Sequence, residues 1–157
     1  MMMTSVRHLA QATVIAASVL VLTACGTSPR SYNVSGVPGG DSAACASVTG
    51  KAPQKLAGHG RNDADQKGTA VWGDGDVILR CGNIAEPTAM KTCFASGGVP
   101  WLVNEDKTKD GVKTVVSYGY NPTVDITVSE RVSDKDAVVR VLAPLVKGLA
   151  RDKSKQC

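Results

Sequence analysis

Hairpin signals and strand-period alternation in the middle of the chain, with one amphipathic stretch near its end, predict an α+β fold. The expectation is an antiparallel sheet of about five strands with a C-terminal helix packed on one face and a short N-terminal helix. Three observations carry it. Thr69–Trp72 and Val77–Cys81, rich in β-branched residues, flank Gly73-Asp74-Gly75-Asp76, an Asp-Gly turn between two strands. Over Thr123–Val128, Val124, Ile126 and Val128 alternate with Asp125 and Thr127, which gives one buried and one wet face. Finally, Ser133-Asp134-Lys135-Asp136 supplies a cap and first-turn acids for a helical stripe of Val138, Val139, Val141, Leu142, Leu145, Val146 and Leu149.

The remaining elements follow in order. Asp41 or Ser42 can cap a short helix carrying Ala43, Ala44, Cys45 and Val48, with Gly50 and Pro53 interrupting any continuation to Leu56. The polar, aperiodic run from Gly58 through Asp65 reads as a surface loop. Cys93–Ala95 and Val99–Asn104 flank Gly97-Gly98 as a second hairpin, and the charged turn Lys107–Gly111 leads into a strand over Val112–Tyr118. Gly119-Tyr120-Asn121-Pro122 turns the chain into Thr123–Val128. Pro144 inside the last helix removes a backbone hydrogen bond, so a kink near Val141 or a break into two pieces is expected.

The first 24 residues are of another kind. Arg7 and His8 precede an uncharged apolar run from Ala12 to Leu22, and Leu22-Thr23-Ala24 stands directly before Cys25. A charged start, an apolar stretch too short for the roughly 20 residues that span a bilayer, and small residues at the end form a secretory leader. Leu-Thr-Ala-Cys resembles a bacterial lipobox, which makes residues 1–24 a lipoprotein signal peptide and Cys25 the lipidation site, the first residue of the mature chain. Two or three acyl chains hold a protein stably on a membrane, where one chain holds it marginally. The expected location is the outer, extracytoplasmic face of the cell membrane.

Cleavage there leaves 133 of the 157 residues, enough for a single domain. Loss of Arg7 leaves 17 basic residues against 14 acids, a net charge of +3, with the charges interleaved apart from Lys147, Arg151, Lys153 and Lys155. No long basic stripe points to nucleic acid, and cations at that end suit the negative pole of a helix. Residues 25–41, rich in Gly and Pro, form the lipidated cysteine and a flexible tether of roughly 20 to 25 Å root-mean-square span; residues 42–157 form the single disulfide-bonded domain.

Four cysteines remain beside Cys25, an even number in an exported chain, which implies disulfides. Of three connectivities the favoured one joins Cys81 to Cys93, at the end of one strand and the start of another, and Cys45 to Cys157. No C-x-x-C pair occurs, so no metal site is expected.

Catalytic constellations are absent from the sequence, and no cofactor motif occurs. His59, the mature chain's only histidine, lies between two glycines and reads as a solvated loop residue. Asp63 and Asp65, like Asp74 and Asp76, lack the later ligands of a calcium loop and read as turn residues. Trp72, Trp101, Tyr118 and Tyr120 hold much of the aromatic surface, and most belong to the core. A face shared by Trp101 and Tyr120 is the candidate contact site.

Ala70-Val71-Trp72-Gly73 with Val77-Ile78-Leu79-Arg80-Cys81-Gly82, then Gly98-Val99-Pro100-Trp101-Leu102, then Tyr118-Gly119-Tyr120-Asn121-Pro122-Thr123-Val124 resemble an uncharacterised family of actinobacterial exported proteins and lipoproteins, domain of unknown function 3515. Cys45 in an alanine-rich helix and the closing Val-Leu-Ala-Pro-Leu helix resemble it too, so the likeness runs from about residue 42 to the end. Gly75 stands where the family pattern has proline. The resemblance implies an envelope location and no established reaction. The reading is thus a membrane-anchored, non-enzymatic binding module whose partner is an envelope protein or a cell-wall ligand. The alternative is an enzyme or accessory subunit acting on cell-wall precursors, which requires groups such as Arg80, Asp74 and His59 to converge in one hollow.

Overall fold

The computed structural model describes residues 34–87 and 92–157, so the leader and Cys25 lie outside the described residues. The fold is α+β, with a larger sheet than the sequence predicts. Eight strands form one antiparallel sheet in the order β1-β2-β3-β4-β9-β7-β6-β5, and two more, β10 and β8, form a small second one. The strands are β1 (Lys55–Leu56), β2 (His59–Asn62), β3 (Thr69–Trp72), β4 (Val77–Gly82), β5 (Cys93–Ser96), β6 (Val99–Val103), β7 (Lys113–Ser117), β8 (Tyr120–Asn121), β9 (Thr123–Val128) and β10 (Ala150–Arg151). Both expected hairpins and the strand Thr123–Val128 stand where the sequence puts them, but the expected wet face of that strand is covered: Asp125 is 1% exposed and paired with Arg80 on the neighbouring strand.

The surplus strands are short. Gly58–Asp65, expected as a loop, contains β2, which pairs with β1 and with β3. Its hairpin turn is Ala57-Gly58 with φ of 50° and 81°, a two-residue turn with both residues left-handed. Alanine is not a residue that announces that conformation. The turn after β3 does follow its sequence: Gly75 has φ +76°, a conformation closed to proline.

Register assigns the two faces, because Cα partners of an antiparallel pair project to the same side. Val77, Leu79 and Cys81 of β4 align with Val128, Ile126 and Val124 of β9, and all six lie in the core with Trp72, Trp101 and Val115. Helices α1 (Ala43–Gly50) and α2 (Lys135–Lys147) cover this face. Ser42 caps α1 by accepting from the Cys45 amide at 3.2 Å, and Asp134 caps α2 by accepting from the Ala137 amide at 2.8 Å. Pro144 does not divide α2, which runs as one element through it. Val138, Val139, Leu142, Ala143 and Val146 are buried, and this packing holds the helix together despite the missing bond.

The opposite face carries Ile78, Arg80, Asp125, Val116 and Leu102. Arg80 and Asp125 are register partners on β4 and β9, joined by two hydrogen bonds, one of them 2.9 Å from Arg80 Nε to Asp125 Oδ1. This bidentate pair raises the pKa of Arg80 against the opposing cost of burial. It belongs to the sheet and takes Arg80 out of any shared hollow with His59.

The cysteine pairing differs from the sequence expectation. Cys45 is bonded to Cys81, and Cys93 to Cys157. Cys81 projects to the helix-covered face, where α1 brings Cys45 against it. Cys93 aligns with Leu102, on the opposite face, where the C-terminal tail arrives after β10. The sequence suggested two cysteines at neighbouring strand ends, but β4 and β5 are separated by β9, β7 and β6. One bridge therefore pins a helix to one face and the other pins the tail to the other. With separations of 36 and 64 residues, chain entropy gives each roughly 4 kcal/mol. Non-reducing peptide mapping will recover Cys45 linked to Cys81 and Cys93 linked to Cys157, whereas a peptide linking Cys81 to Cys93 would contradict the fold.

Candidate functional site

Trp101 and Tyr120, the expected contact residues, are core. Trp101 is fully buried and its indole donates to the Ser96 carbonyl at 3.2 Å. Tyr120 is 5% exposed and lies beneath the Arg151 guanidinium, 5.5 Å from the ring centroid. In a chain poor in aromatics, the large rings are drawn inward to fill a core built mainly from valine. The basic tail is likewise engaged, since Lys155 pairs with Glu86 at 2.8 Å and stands over the Tyr118 ring.

The titratable groups converge elsewhere, around Asp76. This residue closes the β3–β4 turn and is 4% exposed. Its Oδ1 accepts from Arg131 Nε at 2.6 Å and from the Ser129 hydroxyl at 3.3 Å, and its Oδ2 accepts from the Asp74 amide at 3.0 Å. His59 Nδ1 lies 3.3 Å from the same Oδ2. Ser129 also donates its amide to the Asp76 carbonyl at 2.9 Å. The carboxylate thus joins the β3–β4 turn, the segment after β9 and strand β2, which are distant in sequence. Burial pushes its pKa upward, but the Arg131 hydrogen bond, the Asp74 amide and the charges of His59 and Arg131 outweigh this and hold it below the ordinary aspartate value. Arg131 is pushed in the complementary direction, upward, by the same bond.

Gly73 is the condition for this closeness. Its φ is +61°, and a Cβ there would overlap Asp76 Oδ2 and stand 2.7 Å from His59 Nδ1. His59 is consequently a side chain on β2 with one ring nitrogen 3.3 Å from a buried carboxylate, and not the loop histidine that its flanking glycines suggest. Its side chain is 35% exposed. Asp74 lines the same shallow hollow as His59, Asp76 and Arg131. Of the trio expected to converge, Arg80 alone is elsewhere. Asp63 and Asp65 line a different cleft, beside α1.

His59 and Arg131 also form one end of a groove of about 320 Å³. Its walls are Leu56, Val132, Val138 and Val141, with Ser133 and Asp134 at the rim. Val141 is 53% exposed, the large hydrophobic side chain that the described surface leaves most open. An apolar floor with a few fixed polar groups at its end is the usual composition of a small-ligand site. Among the described residues no cluster of three or more His, Cys, Asp or Glu side chains could hold a metal ion. Sequence reasoning missed Arg131 and Val141, which carry no motif. The available signal was Asp76 itself, a carboxylate directly before the apolar start Val77-Ile78-Leu79 of β4.

Geometry and topology together define a small α+β sheet domain, bridged by disulfides on both faces, with an oriented histidine beside an apolar groove. The family model described as "Protein of unknown function (DUF3515)" matches residues 7–153, and the chain belongs to that family. No curated protein and no solved structure matches the chain.

Loss of the buried carboxylate has a signed pH signature. A carboxyl whose folded pKa is depressed adds stability above its unfolded pKa, and that stability disappears as pH falls through the folded value. Asp76→Asn will therefore lower the urea midpoint at neutral pH, and the gap between variant and wild type will close as pH falls from about 5 toward 2. A gap that stays constant over this range would contradict the assigned ion pair.

Proposed function

We propose that this protein is a lipid-anchored binding module of an actinobacterial cell envelope, held at the extracytoplasmic face of the membrane through Cys25. The observation that carries the binding reading is the groove in which oriented His59 and Arg131 border the apolar wall of Leu56, Val138 and Val141. The cluster's polar atoms are mostly committed to one another. Both Asp76 oxygens, the Arg131 Nε and the Ser129 hydroxyl are engaged, which fixes shape more than it supplies reacting groups. Arg131 Nη2 also donates to the Asp74 carbonyl at 3.1 Å, so what stays open to a ligand is His59 Nε2, Arg131 Nη1 and the apolar wall, a recognition surface for an envelope protein segment or a cell-wall component. The signal-like leader and Leu-Thr-Ala-Cys25 support the anchoring part of the reading.

A second reading, action on cell-wall precursors, draws support from a histidine oriented by a buried carboxylate, the arrangement that prepares an imidazole for proton transfer. The two readings differ in what happens to a bound species.

Membrane fractionation and native mass spectrometry test both parts. Cys25→Ser will release the protein from the membrane fraction, and unchanged retention would contradict the anchor. Native mass spectrometry of the anchored protein, extracted gently, will show a non-covalent adduct that Val141→Asp and His59→Gln each reduce about tenfold or more, the equivalent of 1.4 kcal/mol. An adduct indifferent to both substitutions would move the site elsewhere, and an adduct consumed with time would favour the enzymatic reading.

A further inference from the structure

A second groove lies at the other end of the helical layer, between α1 and the C-terminal part of α2. It measures about 620 Å³, within the range of sites that take drug-sized ligands. Ala43, Ala44 and Val48 line it from α1, Pro144 and Leu145 from α2, and Leu149 from the segment just after α2. Ala44 and Val48 are four residues apart with Ala43 beside them, so the three share one face of α1. Lys51, at the C-terminal end of α1, is the one charged residue in its lining.

Three features make this face unusual for water. Helix α1, Ala-Ala-Cys-Ala-Ser-Val-Thr-Gly, contains no charged residue, although only Cys45 and Val48 in it are buried. A helix without a polar, charged side normally has partners all round. Leu145 and Leu149 are only partly covered by the core, and Pro144 is exposed. The Lys51 ammonium has no hydrogen-bond or ion-pair partner among the described residues, so the only charge in the groove is an unmatched cation.

The position of the groove selects its occupant. The chain enters the described domain immediately before α1, through a turn in which Pro38 accepts from the Asn83 amide at 2.7 Å. On the anchored reading about a dozen residues separate Cys25 from Val37, and a chain of that length reaches at most roughly 45 Å at about 3.5 Å per residue. An anchored domain therefore carries this groove within reach of the bilayer, where lipid is at high effective concentration.

We infer that the α1–α2 groove takes one acyl chain of an anionic phospholipid from the adjoining membrane, with Lys51 opposite the headgroup phosphate. The inference rests on the anchored reading for its setting, but it concerns a site separate from the His59 groove. Apolar walls take the chain, and a lone cation at the mouth selects negative over zwitterionic heads, in line with the attraction of lysine to anionic lipid surfaces.

The test uses the whole mature chain bearing Cys25→Ser, which removes its own lipid. The protein is mixed with vesicles of phosphatidylglycerol or of phosphatidylcholine, separated from them, and weighed by native mass spectrometry. One phosphatidylglycerol per chain is expected, at least fivefold more than phosphatidylcholine. Lys51→Glu and Ala43→Glu will each reduce it at least fivefold. Both positions are exposed, and an acid in the first turn of α1 suits the helix dipole, so folding is retained. Equal uptake of the two lipids, uptake unaffected by both substitutions, vesicle adsorption without a retained lipid, or no binding would each overturn the inference. Because Cys25→Ser fractionation reads the anchor separately, failure of the groove and failure of the anchored reading give different results.

Discussion

A carboxylate taken out of water must be matched, and Asp76 meets that requirement by gathering its partners from three parts of the chain. Its oxygens receive the Arg131 guanidinium, the Ser129 hydroxyl and the Asp74 amide, and face the His59 imidazole. Each of these contacts fixes something larger: the turn between β3 and β4, the path of the chain from β9 toward α2, and strand β2, second from the sheet's edge. Removing the charge would leave the sheet's core intact and its edge loose. Gly73 shows how little room the arrangement leaves, since even one carbon would collide with it.

The two disulfides do comparable work for the layers. Sheet register sends Cys81 toward the helices and Cys93 away from them, so each bridge binds a different covering segment. Valine is the commonest core residue and Trp72, Trp101 and Tyr120 are spent inside that core, which leaves modest apolar burial for a domain of this size. Covalent closure of both layers offsets that shortage. It also explains why the surface aromatics imagined from the sequence are absent: Trp101 and Tyr120 are needed where they are.

Much of the fold was legible because its cues are local. Val124, Ile126 and Val128 announce their own strand, Gly73–Asp76 and Gly97-Gly98 announce their own turns, and Ser42 and Asp134 cap as their chemistry suggests. What escaped depended on distant partners. Strand β2 contains His59-Gly60-Arg61-Asn62, with no apolar period, and exists because β3 offers it an edge. Cysteine pairing depended on strand order, which three intervening strands decide. Pro144 was expected to interrupt α2, but burial of five of its residues outweighs one missing bond. The site was harder still, since His59 between two glycines looks mobile until Asp76 is placed beside it.

The site depends most directly on the placement of His59 beside Asp76. Once residues 1–24 are removed it is the only histidine, so its imidazole signals in a long-range ¹H–¹⁵N correlation spectrum of the mature chain are unambiguous. The geometry predicts that the neutral ring carries its proton on Nδ1, facing Asp76, with Nε2 free, and that Asp76→Asn abolishes this preference. An imidazole in the Nε2-protonated form of a freely solvated side chain, unchanged by Asp76→Asn, would contradict it.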